Sequence, residues 1–202
     1  SPEGRSVDRE WVKRVSDLID IPFCVAGGIR SVREAAAVLN AGADKVSINT
    51  PALLRPELIG ELAEAFGVQC VVVGIDTLRD EDGQWRVRQF TGDPNKTQAL
   101  SKLTLDWVIE AQQRGAGEIV LNCMGSDGAR DGYDIEQLAA VRAICQIPLV
   151  ASGGAGSVQH FIDVFEQADV DAALAATVFH NGSIPIPALK RALADQNIPV
   201  RI

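Results

Sequence analysis

Two stretches of the chain repeat one short design, and this repetition limits the possible folds more than any other feature. Pro22 to Arg30 reads PFCVAGGIR, and Pro148 to Gly156 reads PLVASGGAG. Each is a proline, a short apolar run, a small residue and a Gly-Gly pair, followed by a segment with helical periodicity. The likeness extends over residues 25–50 and 150–177. The sequence therefore predicts a βαβ unit that occurs twice, related by a pseudo-two-fold repeat.

Short runs rich in Val, Ile and Ala alternate with longer amphipathic segments, which is typical of a parallel sheet covered by helices. The predicted strands are Phe23 to Ala26, Lys45 to Asn49, Cys70 to Asp76, Glu118 to Met124, Leu149 to Ser152 and Asp171 to Thr177. The predicted helices are Asp8 to Ile19, Val32 to Ala41, Pro56 to Phe66, Leu103 to Arg114, Ile135 to Cys145, Val158 to Gln167 and Pro187 to Asp195. Trp85 to Gly92 is predicted to form a β-hairpin on the loop after the third strand.

A βαβ unit repeated in this way predicts an α/β fold, the (β/α)8 TIM barrel, in which strand 3 matches strand 7 and strand 4 matches strand 8. The chain opens at SPEGR in a segment that reads as a loop leading into a helix. We therefore expect one barrel domain over residues 1–202, with strands 3 to 8 present and strands 1 and 2 missing. A truncated barrel, a beginning outside this sequence, or a second copy that fills the gap would each account for this.

Charge and hydropathy exclude two classes of partner. The 202 residues carry a formal net charge of -8, so a nucleic acid would be repelled. The apolar runs are of strand length, so no membrane span is expected, and the chain is predicted to be soluble and cytoplasmic.

The cysteines and histidines do not form a pattern of metal ligands. Cys24, Cys70, Cys123 and Cys145 lie far apart, and we expect them to pack as small buried hydrophobic residues. The chain contains only two histidines, His160 and His180, so no metal and no cofactor is expected. Acid–base chemistry here would fall to carboxylates.

The two Gly-Gly pairs lie where active-site loops leave the strands of such a fold. Without Cβ atoms the backbone approaches a ligand closely, and the next helix presents free N–H groups, a combination that suits a phosphate. A turn that permits close packing is the alternative for one pair, and the doubling favours phosphate. Two such loops imply an elongated substrate with a phosphate at each end. The candidate phosphate ligands are Gly27, Gly28, Ser47, Asn49, Thr50, Gly128, Ser152, Gly153, Gly154, Ala176 and Thr177.

Two aspartates are candidates for proton transfer between these loops. Asp76 ends the apolar run VVVGID, and Asp127 follows the strand that begins at Glu118. For Asp127, a loop or helix-capping carboxylate is the alternative. Asp131 and Asp134 are interpreted as turn and N-cap residues. Lys45 and Glu118 begin their strands, so they could pair at the opposite rim or remain ordinary solvated charges.

Several segments in order resemble one family closely: FCVAGGIRSV, GADKVSINTPA, QCVVVGID, QFTGD, DGARDGYD, PLVASGGAG and ALAATVFH. The sequence is similar to the cyclase subunit of imidazole glycerol phosphate synthase, of histidine biosynthesis. Its sister family, the isomerase that precedes it in the pathway, shares the barrel and phosphate loops but is less like the GID and RGAGEI segments.

The resemblance implies a (β/α)8 barrel of the ribulose-phosphate-binding type and a lyase activity. The implied reaction takes a bisphosphorylated ribulosyl formimino aminoimidazole carboxamide intermediate and ammonia to imidazole glycerol phosphate and aminoimidazole carboxamide ribotide. A glutaminase subunit is the implied partner in a heterodimer. Asp76 matches the family's general acid and Asp127 a further aspartate near the substrate, whereas Lys45 and Glu118 match half of a charged gate at the ammonia entrance. The family's other proton-transfer aspartate and a lysine on its first loop have no counterpart here.

A function of another class is also compatible with the residues: a non-catalytic, phosphate-binding truncated barrel that associates with itself.

Overall fold

The computed structural model describes residues 7–201. Its strands are β1 (Cys24–Ala26), β2 (Lys45–Ile48), β3 (Val71–Arg79), β4 (Trp85–Gln89), β5 (Gln98–Leu103), β6 (Glu118–Cys123), β7 (Leu149–Ser152) and β8 (Ala172–Leu174). Its helices are α1 (Arg9–Ser16), α2 (Val32–Leu39), α3 (Thr50–Leu54), α4 (Glu57–Phe66), α5 (Thr104–Gln113), α6 (Ile135–Arg142), α7 (Val158–Ala168), α8 (Thr177–His180) and α9 (Ile186–Asp195), with a 3-10 turn at Val68–Cys70.

The sheet is built on six parallel strands in the order β1, β2, β3, β6, β7, β8. The path ends at β1 on one side and at β8 on the other, so the described residues form an open half-barrel of the TIM type. The prediction of an α/β fold with a parallel sheet is confirmed. The prediction that strands 1 and 2 are missing is not confirmed.

Alternation along each strand separates the core from the inner face of the sheet. Ile119 and Leu121 on β6 are fully buried under the helices, whereas Glu118, Val120 and Asn122 point the other way and are half-buried. The same period of two places Val71, Val73 and Ile75 of β3 in the core. The polar residues of the strands therefore collect on one surface, the inner face.

Strand β3 is longer than the sequence predicted, and this corrects the hairpin prediction. It continues past Asp76 to Arg79, where it pairs antiparallel with β4, and β4 pairs in turn with β5. The predicted hairpin at Trp85 to Gly92 is thus wrong: Trp85–Gln89 is the middle strand of a three-stranded ribbon whose first arm is β3 itself. The turn of the first hairpin is the Asp80–Gln84 segment, where Asp80 N donates to Gln84 O at 2.8 Å.

Two further differences concern strand ends and a cysteine. Strand β8 ends at Leu174, and Thr177 instead begins the short helix α8, as Thr50 begins α3, so both threonines lie at helix starts whose first backbone N–H groups have no partner within the helix. Cys123 and Cys145 are buried as expected, but Cys70 is only half-buried, and Cys24 is exposed because it lies on the inner face at the open edge.

Candidate functional site

The two glycine loops share one backbone conformation. Gly27 and Gly153 both have φ of +93°, and Gly28 and Gly154 follow with φ of +70° and +108°. These left-handed values favour glycine. At Gly154 space also requires it, since a Cβ atom would lie 1.9 Å from the Gly132 carbonyl oxygen, whereas a Cβ atom at Gly27 would meet nothing within 4 Å. The second loop is therefore packed on its neighbours and the first stands open.

Each loop borders its own cleft at the carboxyl ends of the strands. The first cleft encloses about 610 Å³ and the second about 220 Å³. The first is lined by the predicted residues Gly27, Gly28, Ser47, Asn49 and Thr50, together with the Phe90–Gly92 segment of the ribbon. The second is lined by the predicted residues Asp127, Gly128, Ser152, Gly153, Gly154, Ala176 and Thr177, together with Asn122 and Arg130.

Asp76 lies between the clefts and is hydrogen-bonded to residues of both. Asn49 donates to its Oδ2 at 2.6 Å and the Thr91 hydroxyl donates to the same oxygen. Asn122 donates to Oδ1 at 2.8 Å. Asp76 is 9% exposed, and its donors Asn49 and Thr91 line the first cleft while Asn122 lines the second. One buried carboxylate thus connects the two clefts.

Two of these three donors were missed by the sequence analysis. Asn122 stands four residues after Glu118 on β6 and shares its face, so the strand period of two could have placed it on the inner surface. Thr91 lies in the connection between β4 and β5, where no periodic pattern exists. Asn49, expected as a phosphate ligand, donates its amide N–H to Asp76, whereas its amide oxygen is buried without a hydrogen-bond partner among the described residues.

Thr50 fastens the ribbon to the first cleft. Its hydroxyl accepts a hydrogen bond of 3.0 Å from the backbone N–H of Phe90, which has φ of +57°. Such a conformation is costly for an aromatic residue, so it is held by its surroundings. The hydroxyl of Thr50 keeps its own proton free to donate into the cleft.

Asp127 is exposed on the loop after β6 and lies at the second cleft. Its backbone N–H donates to the Cys123 carbonyl at 3.1 Å, which closes a turn and directs this loop across the end of β6. Asp134 caps α6 by accepting from Gln137 N at 3.0 Å, so its predicted N-cap role is confirmed.

Lys45 and Glu118 meet at the opposite end of the strands, as one of the two alternatives predicted. Lys45 Nζ lies 2.5 Å from Glu118 Oε2, and both side chains are partly buried. Although the Cys24 residue as a whole is exposed at the sheet edge, its thiol group is largely desolvated by the surrounding protein, and this, with the charge of Glu118 as the next cause, raises the pKa of the thiol to about 11. The charges of Lys45 and Glu118 therefore influence the ionisation of Cys24 at that rim of the inner face.

Two absences hold for residues 7–201. In this range no cluster of three or more His, Cys, Asp or Glu side chains could hold a metal ion. No helix in the same range has the length and apolar character needed to cross a membrane.

Sites on loops that leave the carboxyl ends of parallel strands are typical of enzymes of the TIM-barrel class, and the chain falls in that class by fold and by the position of its clefts. Comparison with known proteins makes the assignment narrower. Residues 1–185 match the family described as "Histidine biosynthesis protein", and the chain belongs to that family.

Three similar proteins carry the same subunit name. The chain is 73% identical over 201 residues to imidazole glycerol phosphate synthase subunit HisF of Xanthomonas campestris pv. campestris (strain 8004), covering 100% of this chain and 78% of that protein. It is 73% identical to the same subunit of Xanthomonas euvesicatoria and 71% identical to that of Xylella fastidiosa (strain M12), with the same coverage. These comparisons do not bear out the expectation of a lacking N-terminal βαβ portion.

Proposed function

We propose that the chain is the cyclase subunit of imidazole glycerol phosphate synthase, a lyase of histidine biosynthesis. Its substrates would be the bisphosphorylated ribulosyl formimino aminoimidazole carboxamide intermediate and ammonia. Its products would be imidazole glycerol phosphate and aminoimidazole carboxamide ribotide. Identity of 73% to relatives with this subunit name supports the proposal.

The single observation that carries it is the position of Asp76 between two glycine-lined clefts. A substrate with a phosphate at each end would place one phosphate on the Gly27–Gly28 loop and the other on the Gly153–Gly154 loop. Its middle would then lie against Asp76, whose donors belong to both clefts. Binding energy from the two ends would hold the reacting centre beside the carboxylate.

The hydrogen bonds of Asp76 indicate which oxygen exchanges the proton. Oδ2 accepts from both Asn49 and Thr91, whereas Oδ1 accepts from Asn122 alone. Oδ1 therefore has the freer lone pair. In the proposed role of general acid, Asp76 would carry its proton at Oδ1 and donate it to the reacting centre of the substrate, which leaves Asp76 as the carboxylate. Asp127, on the loop at the second cleft, would assist from that side.

Ammonia would come from a glutaminase subunit in a heterodimer. The charged pair Lys45 and Glu118 lies at the rim opposite the clefts and would gate the ammonia entrance. Ammonia that passed this pair would travel along the inner face toward Asp76.

The test is an assay of the purified chain with the intermediate and excess ammonium salt, following both products. Formation of both products supports the cyclase. Conversion of the preceding intermediate without ammonia would instead indicate the sister isomerase.

The open edges at β1 and β8 favour a second candidate, a non-catalytic half-barrel that binds phosphate and associates with itself. Phosphate binding by a self-associated chain that forms neither product would establish it.

A further inference from the structure

The helices that follow the two glycine loops begin with matching hydrogen bonds. Ser31 caps α2 by accepting from Glu34 N at 3.3 Å, and Ser157 caps α7 by accepting from His160 N at 3.4 Å. In both cases the third helical residue is bonded to the cap.

The third residue also reaches back to the glycine loop. Glu34 Oε2 accepts from the backbone N–H of Arg30 at 2.7 Å, and His160 Nδ1 accepts from the backbone N–H of Gly156 at 3.1 Å. This is a capping box that extends one residue before the cap. A carboxylate closes the box in the first half of the repeat, and an imidazole closes it in the second.

These two bonds fasten the last residue of each loop to a rigid helix. The first loop is open at its first glycine, where a Cβ atom at Gly27 would meet nothing within 4 Å, although Ile29 further along is buried. The second is also held by packing: Gly132 N donates to Gly154 O at 2.9 Å, and a Cβ atom at Gly132 would lie 3.8 Å from the His160 ring. The first loop therefore depends more on its box than the second.

We infer that Glu34 and His160 are positioning residues, each of which sets the phosphate affinity of its own glycine loop. The inference rests on the proposed phosphate-binding role of these loops. A loop fixed before binding presents its N–H groups at one point, and the phosphate then pays no cost of ordering it. Glutamine can replace either residue as the acceptor of the box, whereas leucine cannot.

The experiment is a titration with inorganic phosphate, followed by the backbone amide NMR signals of Gly27 and Gly28 for the first loop and of Gly153 and Gly154 for the second. The four variants are Glu34→Leu, Glu34→Gln, His160→Leu and His160→Gln. Each leucine variant should raise the dissociation constant at its own loop, by about three- to tenfold, with the larger change for Glu34→Leu. The glutamine variants should stay within about twofold of the parent at both loops.

Each loop is the internal control for the other. A leucine variant that binds phosphate at its own loop like the parent protein would overturn the inference, as would equal weakening at both loops, which indicates general loss of structure. Phosphate binding at both loops by a parent protein that forms no product would overturn the proposed function and leave this inference standing. A parent protein that binds phosphate at neither loop would overturn both.

Discussion

Asn122 on β6 donates a hydrogen bond of 2.8 Å to Asp76 on β3, and the two residues stand opposite each other in the register of the parallel pair. Ser152 on β7 extends the row, since its hydroxyl donates to Asn122 Oδ1 at 3.2 Å. The row runs across three neighbouring strands toward the second glycine loop. A substitution of Asn122 or Ser152 should therefore alter the hydrogen bonding of the Asp76 carboxylate.

Replacing Asp76 by Asn should abolish cyclisation while the substrate still binds. The amide cannot carry the transferred proton, so kcat should fall by about two to four orders of magnitude with KM changed only a few-fold. Steady-state kinetics with ammonium as nitrogen source measures both constants. Asp131→Asn, on the exposed loop beside the second cleft, is the matched control. Preserved turnover in the Asp76 variant would remove it from the catalytic role.

Replacing Asn122 by Ala should lower kcat about tenfold or more. The change removes the donor to Asp76 Oδ1, and hydrogen bonds to charged groups are worth about 1.5–3 kcal/mol. Asn40→Ala, at the exposed end of α2, should leave kcat unchanged. An Asn122 variant with the kcat of the parent protein would show that the carboxylate needs no donor on that side.

Replacing Lys45 by Met should affect the use of glutamine more than the use of free ammonium. The partly buried Glu118 loses its partner at 2.5 Å, and the proposed gate is disturbed while the clefts are not. The measurement is the ratio of glutamine-dependent to ammonium-dependent turnover in the presence of the glutaminase. Lys102→Met breaks the ion pair with Glu110 and is the control. A ratio that shifts equally in both variants would argue against the gate.

Replacing Thr104 by Val should destabilise the fold by about 1–3 kcal/mol, because the buried hydroxyl of Thr77 loses one of its hydrogen-bond partners. Thr77 accepts from Gln137 Nε2 at 2.7 Å and shares a hydrogen bond of 2.6 Å with Thr104, and all three residues are at most 1% exposed. The free energy of unfolding in urea measures the effect. Thr97→Val, in the half-buried loop before β5, should cost less, and an equal loss would contradict this account.

Alkylation of Cys24 should keep accelerating up to about pH 11. Its pKa is raised to about 11, mainly by desolvation of the thiol group and then by Glu118, and only the thiolate reacts. Glu118→Gln removes one of these causes, so it should lower the pKa and speed the reaction at pH 9. Mass spectrometry after brief treatment with iodoacetamide gives the rate. A midpoint near the ordinary thiol value of 9.0 would refute the prediction.

The parallel part of the fold was predictable because strand periodicity and turn residues agree there. Leu149–Ser152 was placed at its observed bounds, and Glu118–Cys123 was missed by one residue at its end. The ribbon was not predictable in the same way. Gln98–Leu103 alternates poorly and is stabilised by pairing with β4, a partner brought to it by the extension of β3. A strand such as β5, which is stabilised mainly by pairing with its neighbour, shows little alternation of apolar and polar residues in its own sequence.

The site was predictable as far as strand ends and glycine pairs mark it. Asp76 and Asn49 were named from their positions, but the hydrogen bond between them depends on which face each strand turns inward. Thr91 comes from a connection in the ribbon, fifteen residues after Asp76 in the chain. Its approach depends on the fold-back of β3 and β4, which no local pattern specifies.

Strand β3 pairs with β6 of the parallel sheet from Val72 to Thr77 and with β4 of the ribbon from Asp76 to Arg79, so the two pairings overlap at Asp76 and Thr77. The ribbon is therefore attached to the sheet at Asp76, and its far turn, Asp80–Gln84, projects away from the sheet. Protein engineers who need a graft site for a tag or a fluorophore should find the tip at Asp80–Gln84 permissive. The root at Phe90–Gly92 would tolerate no inserted residue.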